Sequence, residues 1–173
     1  MDTLIPNGRP VPTFTLPDLQ GDLHGLEELR GRVAVLNFWS AECPWSERAD
    51  RELLAYRVRW GERVAWWNIA SNVNEPVEML AQVAAERGLP GVLLDADQQT
   101  ANRYGAQTTP HLFVLDAAGI LRYQGAFDDV TFRQRTPSRF YLREAVESLL
   151  AGRTPEPDQT PAYGCTVMRH NPT

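Results

Sequence analysis

Apolar residues along the chain form short continuous runs that alternate with amphipathic stretches. The run VAVLNFW, residues 33–39, has the length of a strand and is apolar nearly throughout, which is typical of a strand buried on both faces of a sheet. RVAWWNIAS and GVLLD predict two more strands. HLFVLD and ILRYQG flank the turn AAG and predict an antiparallel hairpin. The pattern therefore predicts a central sheet.

Four segments between and after these strands have helical periodicity. The first is expected to begin at Cys43 or Pro44, because proline suits the first helical position, and to end at Gly61. EPVEMLAQVAAERG, QQTANRYG and SRFYLREAVESLLAG predict the other three helices. Near the N-terminus, TFTLPDLQGDLHGL predicts a small hairpin and LEELRG a short helix.

Strands that alternate with helices and end in a hairpin predict an α/β fold with a mixed central sheet, parallel at first and antiparallel at the end. The chain of 173 residues is long enough for one domain with a sizeable core. We assign residues 1–152 to this domain, including the N-terminal hairpin. Residues 153–173 are expected to form an irregular tail with four prolines.

Charge and composition exclude several classes of function. The net charge of −5 disfavours nucleic acid and anionic membranes as partners, and no apolar stretch approaches the ~20 residues of a membrane span. All 17 basic residues are arginine, which excludes a Schiff-base lysine. The N-terminus lacks the pattern of a signal peptide, so we expect a cytoplasmic location, or a periplasmic one if a leader has been removed.

The sequence contains two cysteines, Cys43 and Cys165, and three scattered histidines, which do not form a zinc motif. The predicted helix start matters for Cys43, because the unpaired N–H groups and the macrodipole of a helix N-terminus stabilise a thiolate. Such cysteines have pKa values of roughly 3.5–7.5, against ~8.5 for a free thiol. The neighbouring Glu42 acts in the opposite direction. Cys43 is thus either a redox thiol, which we favour, or a buried structural cysteine.

Several segments resemble a known family. VAVLNFWSAECPWS resembles the active-site segment of thioredoxin-like proteins, in which a buried strand ending in Phe-Trp leads to Cys-x-x-Cys. GAQTTPHLFVLDAAGILRYQGAFDD resembles the segment in which those proteins place a cis-proline facing the active site. DLQGDLHGLEELRG is similar to the start of the alkyl hydroperoxide reductase / thiol-specific antioxidant (redoxin) branch, and TPAYGCTVMR to a Gly-Cys element that ends one group of peroxiredoxin-like redoxins. The resemblance spans roughly residues 10–170. It implies a thioredoxin fold with helices on both faces of the sheet.

The resemblance assigns roles to particular residues. Cys43 stands where the nucleophilic cysteine belongs, and Ser46 stands where the second cysteine of Cys-x-x-Cys belongs. Pro110 matches the cis-proline, and the backbone of Thr109 would pair with an extended substrate as an added strand. The remaining residues expected to bind substrate are neighbours of Cys43: Trp39, Ser40, Pro44 and Trp45.

The chain also departs from the family pattern. Peroxiredoxins have Pro-x-x-x-Thr-x-x-Cys, and here Ser40 replaces the threonine while Leu36 replaces the proline. A peroxidase function is weakened by this departure but stays open. Arg139 is one candidate for the catalytic arginine of that family.

Two alternatives remain for Cys165, which lies in the proline-rich tail. It either resolves Cys43 by forming a disulfide with it or is a tail cysteine without a role. His111, which follows Pro110, is either a base or charge partner of the thiol or, as we favour, a structural histidine. Asp128 and Asp129 are expected in a solvated turn.

The leading hypothesis is a thiol-dependent oxidoreductase with antioxidant or thiol–disulfide exchange activity. Its substrate would be a peroxide or a protein disulfide, its reductant an external thiol, and it would need no cofactor. A second hypothesis is a non-enzymatic module that binds peptides in the groove at Pro110. A third is a copper-handling protein, for which Cys43, His111 and Cys165 are the plausible ligands.

Overall fold

A five-stranded mixed sheet forms the centre of the computed structural model, which describes residues 5–170. The strands in chain order are β1 (Thr15–Pro17), β2 (Leu23–Gly25), β3 (Val33–Trp39), β4 (Val64–Ala70), β5 (Val92–Leu94), β6 (Thr108–Thr109), β7 (His111–Leu115), β8 (Leu121–Gly125) and β9 (Cys165–Thr166). The helices are α1 (Pro44–Trp60), α2 (Val77–Arg87), α3 (Gln99–Tyr104) and α4 (Tyr141–Leu150), with 3-10 turns at Leu26–Leu29 and Gly61–Arg63.

The central sheet has the strand order β5-β4-β3-β7-β8. β3 pairs in parallel with β4, and β4 with β5. β7 runs antiparallel to both β3 and β8. The predicted mixed sheet is therefore present, and every residue of β3 is buried, as its continuous apolar run indicated.

Helices cover both faces of the sheet. α1 and α4 pack on one face through residues such as Leu53 and Val146, and α2 places Leu80 beside Trp39 at the end of β3. On the other face, Tyr104 of α3 packs in the cluster that includes Phe38 of β3. This arrangement buries β3 centrally and positions its carboxyl end, where Cys43 follows, between the helical layers.

The start of α4 differs from the prediction, which began this helix at Ser138. The Ser138 N–H donates to Asp129 Oδ1 at 2.9 Å, outside any helix. The Phe140 N–H donates to Glu144 Oε2 at 2.7 Å. The Glu144 side chain thus supplies the acceptor that a carbonyl of a preceding helical turn would otherwise supply. The helix accordingly begins at Tyr141.

The tail is mostly without regular secondary structure, but it is bound to the domain along its described length. Its first part follows β8, where the Gln124 N–H donates to Asp158 O at 3.2 Å and the Thr160 N–H donates to Gln124 O at 3.1 Å. Its last part forms β9, which pairs antiparallel with β6. Gly125 permits the close approach of the first part of the tail to β8, because a Cβ at Gly125 would lie 2.3 Å from Thr160 O. Over residues 5–170, no helix has the length and apolar character of a membrane span.

Candidate functional site

Cys43 lies in the turn between β3 and α1, at the N-cap of the helix. Pro44 is the first residue of α1, and the Glu47 N–H donates to the Cys43 carbonyl at 3.0 Å. The prediction that the helix begins at Cys43 or Pro44 is confirmed. Cys43 is buried, with 3% of its surface exposed. Its position at the positive end of the macrodipole favours a thiolate when the cysteine is reduced.

Cys43 forms a disulfide with Cys165. Their Cα atoms lie 6.2 Å apart, although the two residues are separated by 122 positions in the sequence. Cys165 belongs to β9 and is partly exposed, in contrast to the buried Cys43. The second sulfur atom beside Cys43 therefore comes from the tail, since Ser46 in the helix has none.

The loop before Pro110 contacts both cysteines. The Thr109–Pro110 peptide bond is cis. The Thr109 carbonyl oxygen lies 3.1 Å from Cys43 Sγ, and the Thr109 main chain is paired with Cys165 in the β6–β9 ladder. The main-chain edge that the resemblance assigned to a substrate strand is thus paired with the protein's own tail.

The neighbours of Cys43 that are expected to bind substrate differ in exposure. Trp45 is partly exposed, and its ring meets Tyr163 of the tail edge-on with centroids 4.9 Å apart. Pro44 is exposed. Trp39 is fully buried, and its indole N–H donates to Asp50 Oδ2 at 2.8 Å. The structure thus places Trp39 beneath the loop that carries Cys43 rather than on the groove surface.

The hydroxyl groups of Ser40 and Ser46 are engaged within the protein. Ser46 is buried, and its Oγ accepts from the Ser40 N–H at 3.3 Å. Ser40 Oγ donates to Glu75 Oε2 at 2.7 Å. These bonds fix the turn that carries Cys43.

Glu75 is a buried acid that the sequence analysis missed. Besides Ser40, its carboxyl group accepts from the Ala41 N–H and from Asn72 Nδ2, each at 2.5 Å. Asn72 Oδ1 in turn accepts from the Met168 N–H of the tail at 2.8 Å. Glu75 therefore connects the loop of Cys43 with the tail segment of Cys165. The strand order could have indicated this contact. Loops that follow neighbouring parallel strands, here β3 and β4, meet at the same edge of a sheet.

A second missed acid, Asp50, lies beneath the same loop. Besides the Trp39 indole, Arg87 Nη1 donates to Asp50 Oδ2 at 2.9 Å, while Arg87 Nη2 donates to Ala41 O at 2.8 Å. Burial raises the pKa of Asp50 to about 6, although the bonds from Trp39 and Arg87 act in the opposite direction. The sequence feature that could have indicated this burial is the position of Asp50 next to the apolar stripe of α1.

His111 is structural in this arrangement. It is buried, its ring stacks on Phe113, and its Nδ1 accepts from the Gln107 N–H at 3.1 Å. Burial lowers the pKa of His111 to about 4. An imidazole that is neutral above that pH supplies no positive charge for a thiolate.

The expectation for Asp128 is wrong. Asp128 is buried rather than solvated, and it pairs with Arg48, whose Nη2 lies 2.5 Å from Asp128 Oδ2. Burial of a carboxylate requires such a partner, and the partner lies 80 positions away in sequence. Asp129 is partly exposed and accepts from the Ser138 N–H.

The described part of the chain contains no group of three His, Cys, Asp or Glu side chains that could hold a metal ion. The three ligands considered for copper therefore do not converge into such a group.

Comparison with known families and proteins agrees with a thiol site. The model of the AhpC/TSA family matches residues 7–124. The chain is 32% identical over 121 residues to the thiol-disulfide oxidoreductase ResA of Geobacillus thermodenitrificans, covering 68% of this chain and 67% of that protein. It is 30% identical over 118 residues to the thiol:disulfide interchange protein DsbE of Allochromatium vinosum, covering 67% of this chain and 64% of that protein. Cys165 lies beyond the part matched by the family model.

Solved structures show the same fold. A hypothetical protein of Sinorhizobium meliloti superposes with a TM-score of 0.87 and 29% identity, and the match covers 97% of each chain. The thioredoxin domain of a thiol-disulfide oxidoreductase of Bacteroides vulgatus superposes with a TM-score of 0.63 and 18% identity, over 76% of this chain and 93% of that one. The predicted thioredoxin fold is therefore confirmed.

The raised pKa of Asp50 predicts a specific pH dependence of stability. Since its pKa is higher in the folded than in the unfolded protein, the stabilisation from this group is complete below about pH 4 and is lost as the pH rises through 6. The free energy of unfolding in urea of the wild type minus that of Asp50→Asn should therefore fall by about 2 kcal/mol between pH 4 and pH 7. Glu52→Gln on the exposed face of α1 controls for the loss of one carboxyl group. A difference that stays constant or rises with pH would contradict the assignment.

Glu75 should stabilise both cysteine-bearing segments. In Glu75→Gln the new amide NH2 faces either the Ala41 N–H or the Asn72 NH2, so in both orientations two donors oppose each other. We therefore expect a loss of about 1–3 kcal/mol in the free energy of unfolding of the reduced protein. Amide hydrogen exchange at Ala41 and Met168 should accelerate together. Glu78→Gln, exposed on α2, is the matched control. An equal, small effect of both variants would count against this role of Glu75.

Proposed function

This chain belongs to the AhpC/TSA family, and on that basis we propose that it works as a thiol–disulfide oxidoreductase with Cys43 and Cys165 as its redox pair. One observation carries the proposal: the two cysteines are bonded to each other at the N-terminus of α1, beside the cis peptide bond of Pro110. A structural disulfide needs neither a helix N-terminus nor that loop.

The reaction follows from the positions of the two sulfur atoms. In the reduced protein, the Cys43 thiolate attacks one sulfur of a substrate disulfide, forms a mixed disulfide and releases the other substrate sulfur as a thiolate. Cys165 then attacks Cys43 Sγ, which releases the second substrate thiolate and forms the Cys43–Cys165 bond. The substrate gains two electrons and the pair loses two. Ser46 has no sulfur and cannot perform the second step.

Thiol–disulfide exchange accounts for the site better than peroxide reduction. The Ser40 hydroxyl, which replaces the threonine of peroxiredoxins, donates to Glu75. The guanidinium of Arg139 donates to Glu144, with Nη2 and Oε1 2.9 Å apart, at an exposed position. Leu36 lies within β3 and is fully buried. The antioxidant, peroxidase-like function is therefore the second candidate.

A non-enzymatic peptide-binding module is disfavoured on different grounds. Such a module needs a free main-chain edge beside Pro110, but β9 pairs with that edge at Thr109. Relatives named as thiol–disulfide oxidoreductases imply a disulfide as the substrate and an external thiol as the reductant. A cytoplasmic location remains part of the proposal, where reducing conditions would regenerate the dithiol form of the pair.

The assignment of the pair predicts a defined oxidation product. Treating the reduced protein with one equivalent of glutathione disulfide should link the tryptic peptides 33–48 and 154–169 within one chain. Cys165→Ser should instead retain glutathione on Cys43, because nothing resolves the mixed disulfide. Cys43→Ser should lose catalysed turnover, whereas Cys165→Ser should lose multiple turnover only. Undiminished turnover in Cys43→Ser would refute the assignment.

Burial predicts which sulfur the reductant attacks. Cys43 is 3% exposed while Cys165 is partly exposed, and Cys43 at the helix N-terminus is the better leaving group. Adding a monothiol such as glutathione to the oxidised protein, with a rapid acid quench, should place glutathione on the peptide 154–169 and leave Cys43 free. Glutathione found first on the peptide 33–48 would reverse this order.

A further inference from the structure

Residues 161–170, which we call the strap, occupy the groove beside Pro110. β9 within the strap pairs antiparallel with β6, so that Cys165 faces Thr109 and Thr166 faces Thr108. This is the position and hydrogen-bonding mode of an added substrate strand. The strap therefore uses the main-chain edge that an extended polypeptide substrate would need.

The strap fits this groove closely at Gly164. A Cβ at Gly164 would lie 2.2 Å from the Thr109 carbonyl oxygen and 2.7 Å from the Thr109 carbonyl carbon. These are backbone atoms, which cannot move aside as the end of a flexible side chain can. Only glycine allows the strap to approach the main chain of Thr109 this closely.

Contacts on both sides of Cys165 hold the strap independently of the disulfide. Before it, the Tyr163 ring packs on Trp45, and the Tyr163 hydroxyl accepts from the Phe132 N–H at 2.9 Å. After it, Val167 is buried and its N–H donates to Gln107 O at 3.0 Å.

Two further tail residues are bound in the same way. The Met168 carbonyl accepts from the Val73 N–H at 3.0 Å and from Gln98 Nε2 at 2.7 Å. Arg169 Nε donates to Asn102 Oδ1 at 3.0 Å. None of these contacts involves a sulfur atom, so none of them requires the disulfide.

We propose that the strap is a resident substrate strand that stays docked in both redox states and restricts Cys43 to small disulfides, excluding extended polypeptides. This inference rests on the proposed function and specifies its substrate class. An extended polypeptide reaches Cys43 only through the open state of the strap, so its rate follows the population of that state. A small disulfide that enters without strand pairing does not depend on that opening.

The test uses two probes with the same leaving group in a Cys165→Ser background, where the strap carries no disulfide. One probe is dipyridyl disulfide. The other is an unstructured peptide whose single cysteine carries the same pyridyl disulfide. Reaction at Cys43 releases the same chromophore from both probes. We expect dipyridyl disulfide to react much faster than the peptide.

Gly164→Ala, added to that background, should raise the peptide rate by roughly tenfold and change the dipyridyl rate little, because losing one or two hydrogen bonds of docking raises the open population by about that factor. Removal of residues 161–173 should raise the peptide rate at least as much. Thr166→Ala, at an exposed strap position, is the matched control and should leave both rates unchanged. Equal peptide rates with and without the strap would overturn the proposal.

Hydrogen exchange separates this inference from the proposed function. The Val167 amide should remain protected in Cys165→Ser, since its partner Gln107 O is unaffected. An unprotected Val167 amide would refute docking in the reduced state. If neither probe reacts at Cys43 even without the strap, the nucleophile of the proposed function fails, while Val167 protection still decides whether the strap is docked.

Discussion

The main-chain pairing of β6 with β9 is the interaction on which the rest of the site depends. Two sulfur atoms 122 positions apart meet because this short ladder holds the Cα atoms of Cys43 and Cys165 6.2 Å apart. The ladder in turn requires Gly164, which alone lets the tail reach the Thr109 main chain. A thiol pair, a closed groove and a buried Cys43 all follow from one contact between the tail and a loop.

Two buried carboxyl groups support this contact from beneath. Burying a polar group costs free energy unless it is hydrogen-bonded, so a well-bonded buried acid restricts the segments that bond to it. Glu75 bonds to the turn before Cys43 and, through Asn72, to the tail at Met168. Asp50 acts through Arg87, which also bonds to Ala41. Polar groups in the interior of the site therefore hold the turn before Cys43.

The replacement of the second motif cysteine by Ser46 changes the energetics of the pair. In Cys-x-x-Cys, one helical turn joins the thiols, whereas here a loop of more than a hundred residues does. Closing such a loop with a disulfide restricts the unfolded chain by about 5 kcal/mol in the chain-entropy model. The oxidation state of Cys43 and Cys165 is thereby coupled to the stability of the whole domain.

The sequence by itself determined the five strands of the central sheet, the four helices and the place of Cys43, because these depend on local patterns. The apolar run of β3 and the proline after Cys43 act within a few residues, and the periods of strand and helix are visible directly. Tertiary structure alone decided the partners of the buried acids: Arg48 for Asp128, and the turn before Cys43 for Glu75. The reason is physical. A contact between residues 30 to 120 positions apart depends on how strands order and loops meet, which local periodicity does not encode.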